Sequence, residues 1–267
     1  MDISFEKNSF KKRLTSMLGV DFRRTFTSAF YYIMLAISFV MPILILVMTT
    51  MMDGTVSVDP TTGAETVIEG FKNVWQIIGS TSSTGSQMSM DITSMCNINM
   101  MFFVISVFVC VFIADDFRSG YAKNLFTVRA NKTDYVISKS IVCFVAGASM
   151  IIAFFIGSML GGAMVGLPFI LEGISAGNIV MCLISKILLV GIFSSIYVFT
   201  GVVAKQRLWL SLILSVGIGM LFFMMIPIIT PLNSTIINVI LCLVGSGIFG
   251  IGIGVGSYFI LKKTSLI

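Results

Sequence analysis

Long apolar runs separated by short polar breaks dominate the 267-residue chain. Six of them, at about 30–52, 98–114, 137–163, 180–203, 208–229 and 238–261, are long enough to cross a hydrocarbon core, which takes roughly 20 residues of helix. The pattern therefore predicts an all-α, polytopic membrane protein with six transmembrane helices over 30–261. Pro42 in the first run is tolerable in a membrane helix and predicts a kink. Ahead of that run, Phe10, Leu14, Met17, Leu18, Phe22 and Phe26 recur at helical spacing, with Lys11, Lys12, Arg13, Arg23 and Arg24 largely off the stripe. Residues 1–29 thus read as an amphipathic helix lying in the membrane interface, against the alternative of a disordered basic segment.

Charge adds sidedness. Only 11% of residues are charged, the net charge is +5, and 15 of the 17 basic residues fall before run one, between run two and the mouth of run three, after run four, or after run six. The exceptions are Lys72, in the long loop 53–97, and Lys186, inside run four. This is the positive-inside arrangement, so both termini, the tail 262–267 included, are expected in the cytoplasm, and the charge needs no nucleic-acid partner. The absence of histidine removes the commonest general base and metal ligand, and the five cysteines form no CxxC pair. No GxxxxGK[ST] occurs, so no phosphate-cradling loop and no ATP hydrolysis is expected of this chain; Gly245-Ser-Gly-Ile-Phe-Gly250 matches GxGxxG only in the middle of a span.

The loop 115–136 carries most of the remaining information. Phe117, Tyr121, Leu125 and Val128 are spaced by four, four and three, so a helix over 117–128 would present one apolar face, with Asp115 and Asp116 placed as at a helix amino terminus. That stripe needs a surface to cover it: the membrane interface, the chain's own helices or a cytoplasmic partner. With Asp116, Gly120, Lys123, Leu125-Phe126, Lys132, Tyr135 and Lys139, the segment resembles the loop after span two in permeases of ABC exporters of the second permease type, which include drug and lantibiotic exporters. It departs from them in having aspartate where glutamate is more usual and Arg129 near a common proline. The resemblance implies a coupling helix, involving Asp116, Phe117, Gly120, Tyr121, Lys123, Leu125, Phe126, Val128, Arg129 and Lys132, docked on a separate ABC ATPase that uses ATP and Mg. It also implies a second permease copy, identical or a sister subunit, and a bacterial plasma membrane. The implied function is ATP-driven export of, or immunity to, an amphipathic substrate such as an antimicrobial peptide or drug.

Elsewhere the outer loop holds Asp53, Asp59, Glu65, Glu69 and Asp91, and its stretch Phe71–Ile78 suggests a short interfacial helix with Trp75 at headgroup depth. The acidity suits a cationic peptide but is also what the charge rule leaves outside. Lys186 is expected to snorkel outward, pair with Glu172 or line a translocation path. Gly157, Gly161, Gly162 and Gly166, and Gly250, Gly252, Gly254 and Gly256, suggest close helix packing. Alternatives from other classes are an intramembrane protease, for which histidine and intraspan aspartates are lacking, a secondary transporter, and a vitamin-capture subunit with an outer pocket.

Overall fold

The computed structural model describes residues 10–58, 65–67, 69–79, 96–128, 132–170, 173–223 and 225–263. Its helices are α1 (Phe10–Thr27), α2 (Ala29–Met52), α3 (Met101–Arg118), α4 (Tyr121–Val128), α5 (Lys132–Val165), α6 (Ala176–Ala204), α7 (Leu208–Phe223), α8 (Ile226–Ile229) and α9 (Ile236–Lys263). Strands Val56–Val58 (β1) and Glu65–Val67 (β2) form an antiparallel ribbon that the pattern did not suggest, with Val56 opposite Val67.

Among the described residues, five helical segments are long and apolar enough to cross a membrane: α2, α3 with its preceding turn, α5, α6 and α9. The expected fifth run, 208–229, is divided. At 16 residues, α7 spans about 24 Å, short of a core about 30 Å thick. It ends at Phe223, four residues before Pro227, whose ring would collide with that carbonyl in a continuing helix; Pro227 instead sits in the first turn of α8. By contrast α2 runs through the buried Pro42 without ending.

Most of α3 and α6 is buried within the chain, whereas α9 buries little of itself. The α2–α5 crossing rests on glycine, as expected: a Cβ at Gly157 would overlap the Phe39 carbonyl, and one at Gly161 would lie 2.9 Å from the Ile43 Cα. The α9 glycines behave differently. Gly247 and Gly252 have open space beside them, and Gly250 and Gly254 meet only ordinary contacts; the tight point of the α6–α9 approach is on α6, where a Cβ at Gly191 would meet the Ser246 hydroxyl. Gly166, with φ +77°, follows α5 and ends it rather than packing it.

The 71–78 stretch also departs from expectation. It forms a one-turn 3-10 helix, Val74–Ile77, and Phe71, Val74, Ile77 and Ile78 are buried in the end of the bundle. Gly162 makes room for Val74. Asn73 caps the turn and donates to the Ile170 carbonyl at 2.7 Å, while Trp75 Nε1 donates to the Phe169 carbonyl at 2.6 Å. Two loops at this end are therefore clasped. Asp53 accepts from the Gly70 N–H at 2.8 Å, which makes it a loop tie. Asp59, Asp91 and Glu172 lie outside the described residues.

Candidate functional site at the basic end of the bundle

At the end of the bundle where the basic residues collect, α1 turns a polar face inward. Its buried positions, Met17, Asp21 and Thr25, are spaced by four and so line one side of the helix, which packs on α5. Lys139, on the second turn of α5 and fully buried, lies 2.8 Å from Asp21 and 2.7 Å from Asp116. Asp21 also accepts from the Ser138 hydroxyl at 2.7 Å. Asp116 accepts from Arg24 at 2.7 Å and from the Tyr135 hydroxyl at 2.9 Å. Two buried carboxylates and two cations thus close a cluster that joins α1, α3 and α5, with the exposed Asp115 at its edge, 3.5 Å from Arg24.

Aromatic rings wall the cluster. The Lys139 ammonium stands 4.2 Å from the centre of the Phe112 ring, and the Arg24 guanidinium 4.3 Å from that of Tyr121 on α4. Burial opposes the charge on Arg24, but the field and hydrogen bond of Asp116 outweigh it and hold the guanidinium pKa above its ordinary value. Burial first, then Asp21 and Asp116, raises the Tyr121 phenol, which keeps its proton. A second pair, Arg13–Asp134 at 3.0 Å, repeats the α1–α5 link. Charges this deeply desolvated are costly unless paired, and here the geometry supplies the pairing.

A family model described as "ABC-2 family transporter protein" matches residues 22–226, more than three-quarters of the chain, from the second half of α1 to the start of α8. The chain belongs to the ABC-2 transporter family. It is a membrane permease of the ABC type, and membership implies in general a separate ATPase partner and a paired permease arrangement. No curated protein and no solved structure matches the chain.

Within this ABC-2 permease the residues expected in one coupling helix are divided. Phe117 belongs to α3 and is buried, and Asp115 and Asp116 occupy the last turn of α3, not a helix amino terminus. Backbone dipoles disfavour negative charge at that end, so the cations around Asp116 have to supply the compensation. Gly120, with φ +75°, then reverses the chain into the eight-residue α4. Of the expected stripe, Phe117 is buried and Tyr121 and Leu125 are half-buried; Leu125 packs on the core together with Phe126, whose ring meets Tyr135 edge-on at 5.3 Å. The face of α4 left outward carries Lys123, Asn124 and Thr127. Val128 ends α4, Arg129 lies outside the described residues, and Lys132 donates to the Leu261 carbonyl of α9.

On α1, Phe10 is exposed, Leu14, Leu18 and Phe22 are half-buried, and Arg23 is exposed. Arg13 and Arg24, expected on the polar side, reach into the bundle instead. Asp21, Asp134 and Ser138 were not singled out by the sequence. For Asp21 a signal was present: a lone acid on the inward line of a basic helix, in a chain where Lys139 stands at the mouth of a span.

Proposed function

We propose that the chain is one of two permease copies, identical or paired with a sister subunit, in an ATP-driven exporter of the bacterial plasma membrane. In this reading it crosses the membrane six times, α7 and α8 together forming the fifth span, with both termini in the cytoplasm. Its substrate is amphipathic, an antimicrobial peptide of the lantibiotic kind or a drug. ATP and Mg act in the partner ATPase.

The observation that carries the mechanism is the charge cluster directly beneath α4. A helix pushed from the cytoplasm transmits force only if it is fastened to elements that continue into the membrane. Here α4 touches the cluster through Tyr121, and the cluster fastens α1, α3 and α5 to one another. Closure of the ATPases against Lys123, Asn124 and Thr127 would move these elements as one body and shift the bundle between packings.

Co-purification with the cognate ATPase in mild detergent tests this. The wild-type chain is expected to retain the ATPase. A Lys123→Ala/Asn124→Ala/Thr127→Ala variant is expected to release it and lose transport, with thermal stability within about 0.5 kcal/mol of wild type because the three side chains are exposed. Retention of ATPase and transport by the triple variant, or no ATPase on the wild type, would overturn the assignment.

A further inference from the structure

The end of the bundle opposite the charge cluster contains a second buried lysine in a different setting. Lys186 lies ten residues into α6, about 15 Å along the helix from its start, and has no exposed surface. Instead of reaching toward the helix end, its ammonium donates to the Asn99 side-chain oxygen at 2.8 Å and to the Thr230 hydroxyl at 3.0 Å. Both acceptors are neutral. Among the described residues no carboxylate pairs with Lys186, and an ammonium has three N–H donors for the two acceptors present.

The elements supplying those acceptors are irregular. Asn99 stands in the 3-10 turn Ile98–Met100 ahead of α3, and Thr230 closes α8, where the chain breaks before α9. Interrupted backbone at membrane depth is sustained where it is enclosed by protein or lines a polar site. Here it is enclosed, and its polar groups converge: the Thr230 carbonyl accepts from the Cys182 thiol at 3.7 Å, and Asn238 of α9 donates to the Ile229 carbonyl at 2.9 Å. Among the described residues the neighbouring Ser185 hydroxyl, buried beside Cys242, has no hydrogen-bond partner of good geometry. An intramembrane cation costs several kcal/mol wherever it is placed, and such residues mark binding or transport sites more often than packing positions.

We propose that Lys186, with Asn99 and Thr230, is an anion-recognition site for the head group, carboxylate or phosphate, of an amphipathic molecule. The ligand would enter where α8 is broken from its neighbours and complete the ammonium's coordination. This rests on the permease reading for its purpose, since it gives the transported amphiphile an anionic group. Binding itself needs no ATPase, so the two readings fail separately.

The test uses the full chain in phosphatidylcholine nanodiscs, with radiolabelled dodecyl phosphate and laurate as probes and dodecyltrimethylammonium as the cationic control. Saturable binding of an anionic probe is expected, weakened at least tenfold in Lys186→Met and largely kept in Lys186→Arg. Glu172→Gln should bind as wild type. Displacement of the probe by phosphatidylglycerol in the disc would assign the site to a lipid head group, and its failure to displace would assign it to a free amphiphile; both sustain the proposal. Absence of saturable binding in the wild type, unchanged binding in Lys186→Met together with Lys186→Arg, or a Glu172→Gln variant that binds the anionic probe clearly more tightly than wild type, would overturn it. The last result would make Glu172 the lysine's own partner, because neutralising it would free the ammonium for the probe.

Discussion

Two lysines of this chain, Lys139 and Lys186, are fully buried, and their surroundings have almost nothing in common. Lys139 sits between Asp21 and Asp116, with Arg24 and Tyr135 completing the second carboxylate. Lys186 has two neutral oxygens. In the first case the charge is matched within the fold, so the cluster acts as a fastener, and removing one member exposes the others to an uncompensated field. The second charge is solvated but unmatched within the described residues, so the fold holds it at a cost that a ligand can offset. Burial and helix position alone would have classed the two together. Partner charge separates them.

The largest expected effect comes from breaking the fastener. Lys139→Met leaves Asp21 and Asp116 facing each other with only Arg24 to compensate, at a cost of about 3–5 kcal/mol. A sharp fall in Tm in detergent, or loss of the monodisperse fraction, is the expected outcome; a Tm equal to wild type would mean that the cluster contributes nothing. A smaller effect, of opposite direction, follows on removing a second member. Asp21→Asn combined with Lys139→Met removes one charge of each sign, leaving Asp116 with Arg24, and should recover about 1–3 kcal/mol relative to the sum of the single changes. Thermal unfolding of the four members of that cycle measures it, and simple additivity would show that the four groups are not one unit.

For Lys186→Met the expectation is neutral or stabilising by about 1 kcal/mol, because a desolvated ammonium is exchanged for an apolar chain of similar volume. A fall as large as that of Lys139→Met would erase the contrast between the two sites. The exposed Lys72, paired with Glu69 at 2.9 Å, provides the baseline: Lys72→Ala should leave Tm unchanged. Glu69 keeps the Lys72 ammonium pKa above its ordinary value, so this small pair is fully present below the ordinary lysine pKa and is lost only as the pH rises through the raised one.

Most of the helical layout was legible along the chain. Runs at 30–52 and 180–203 became α2 and α6 with ends displaced by a few residues, since transfer of apolar side chains out of water is a local, additive quantity. The division of 208–229 was also locally encoded, in Pro227, but the hydropathy of the run masked it. The loop 115–136 was harder to read. Its apolar stripe was visible, but how much of it the chain's own helices take up, and that Phe126 beside it packs on Tyr135, depends on where α5 begins in space. On α1 the expected division of an apolar face toward lipid and a basic face toward water gave way to a polar inward face, because Asp116 and Lys139 lie across from it.

What the sequence by itself determined is the apolar periodicity of the helices and the clustering of 15 of 17 basic residues in four stretches of the chain, each a property of neighbours in the chain. Only the tertiary structure decided which charges meet. Asp21 and Lys139 are separated by 118 positions, and Lys186 and Asn99 by 87. Electrostatic interactions fall with distance in space and rise steeply as water is excluded, and neither quantity is written in sequence separation. The same residue type therefore serves as a clamp at one end of the bundle and as an open binding point at the other.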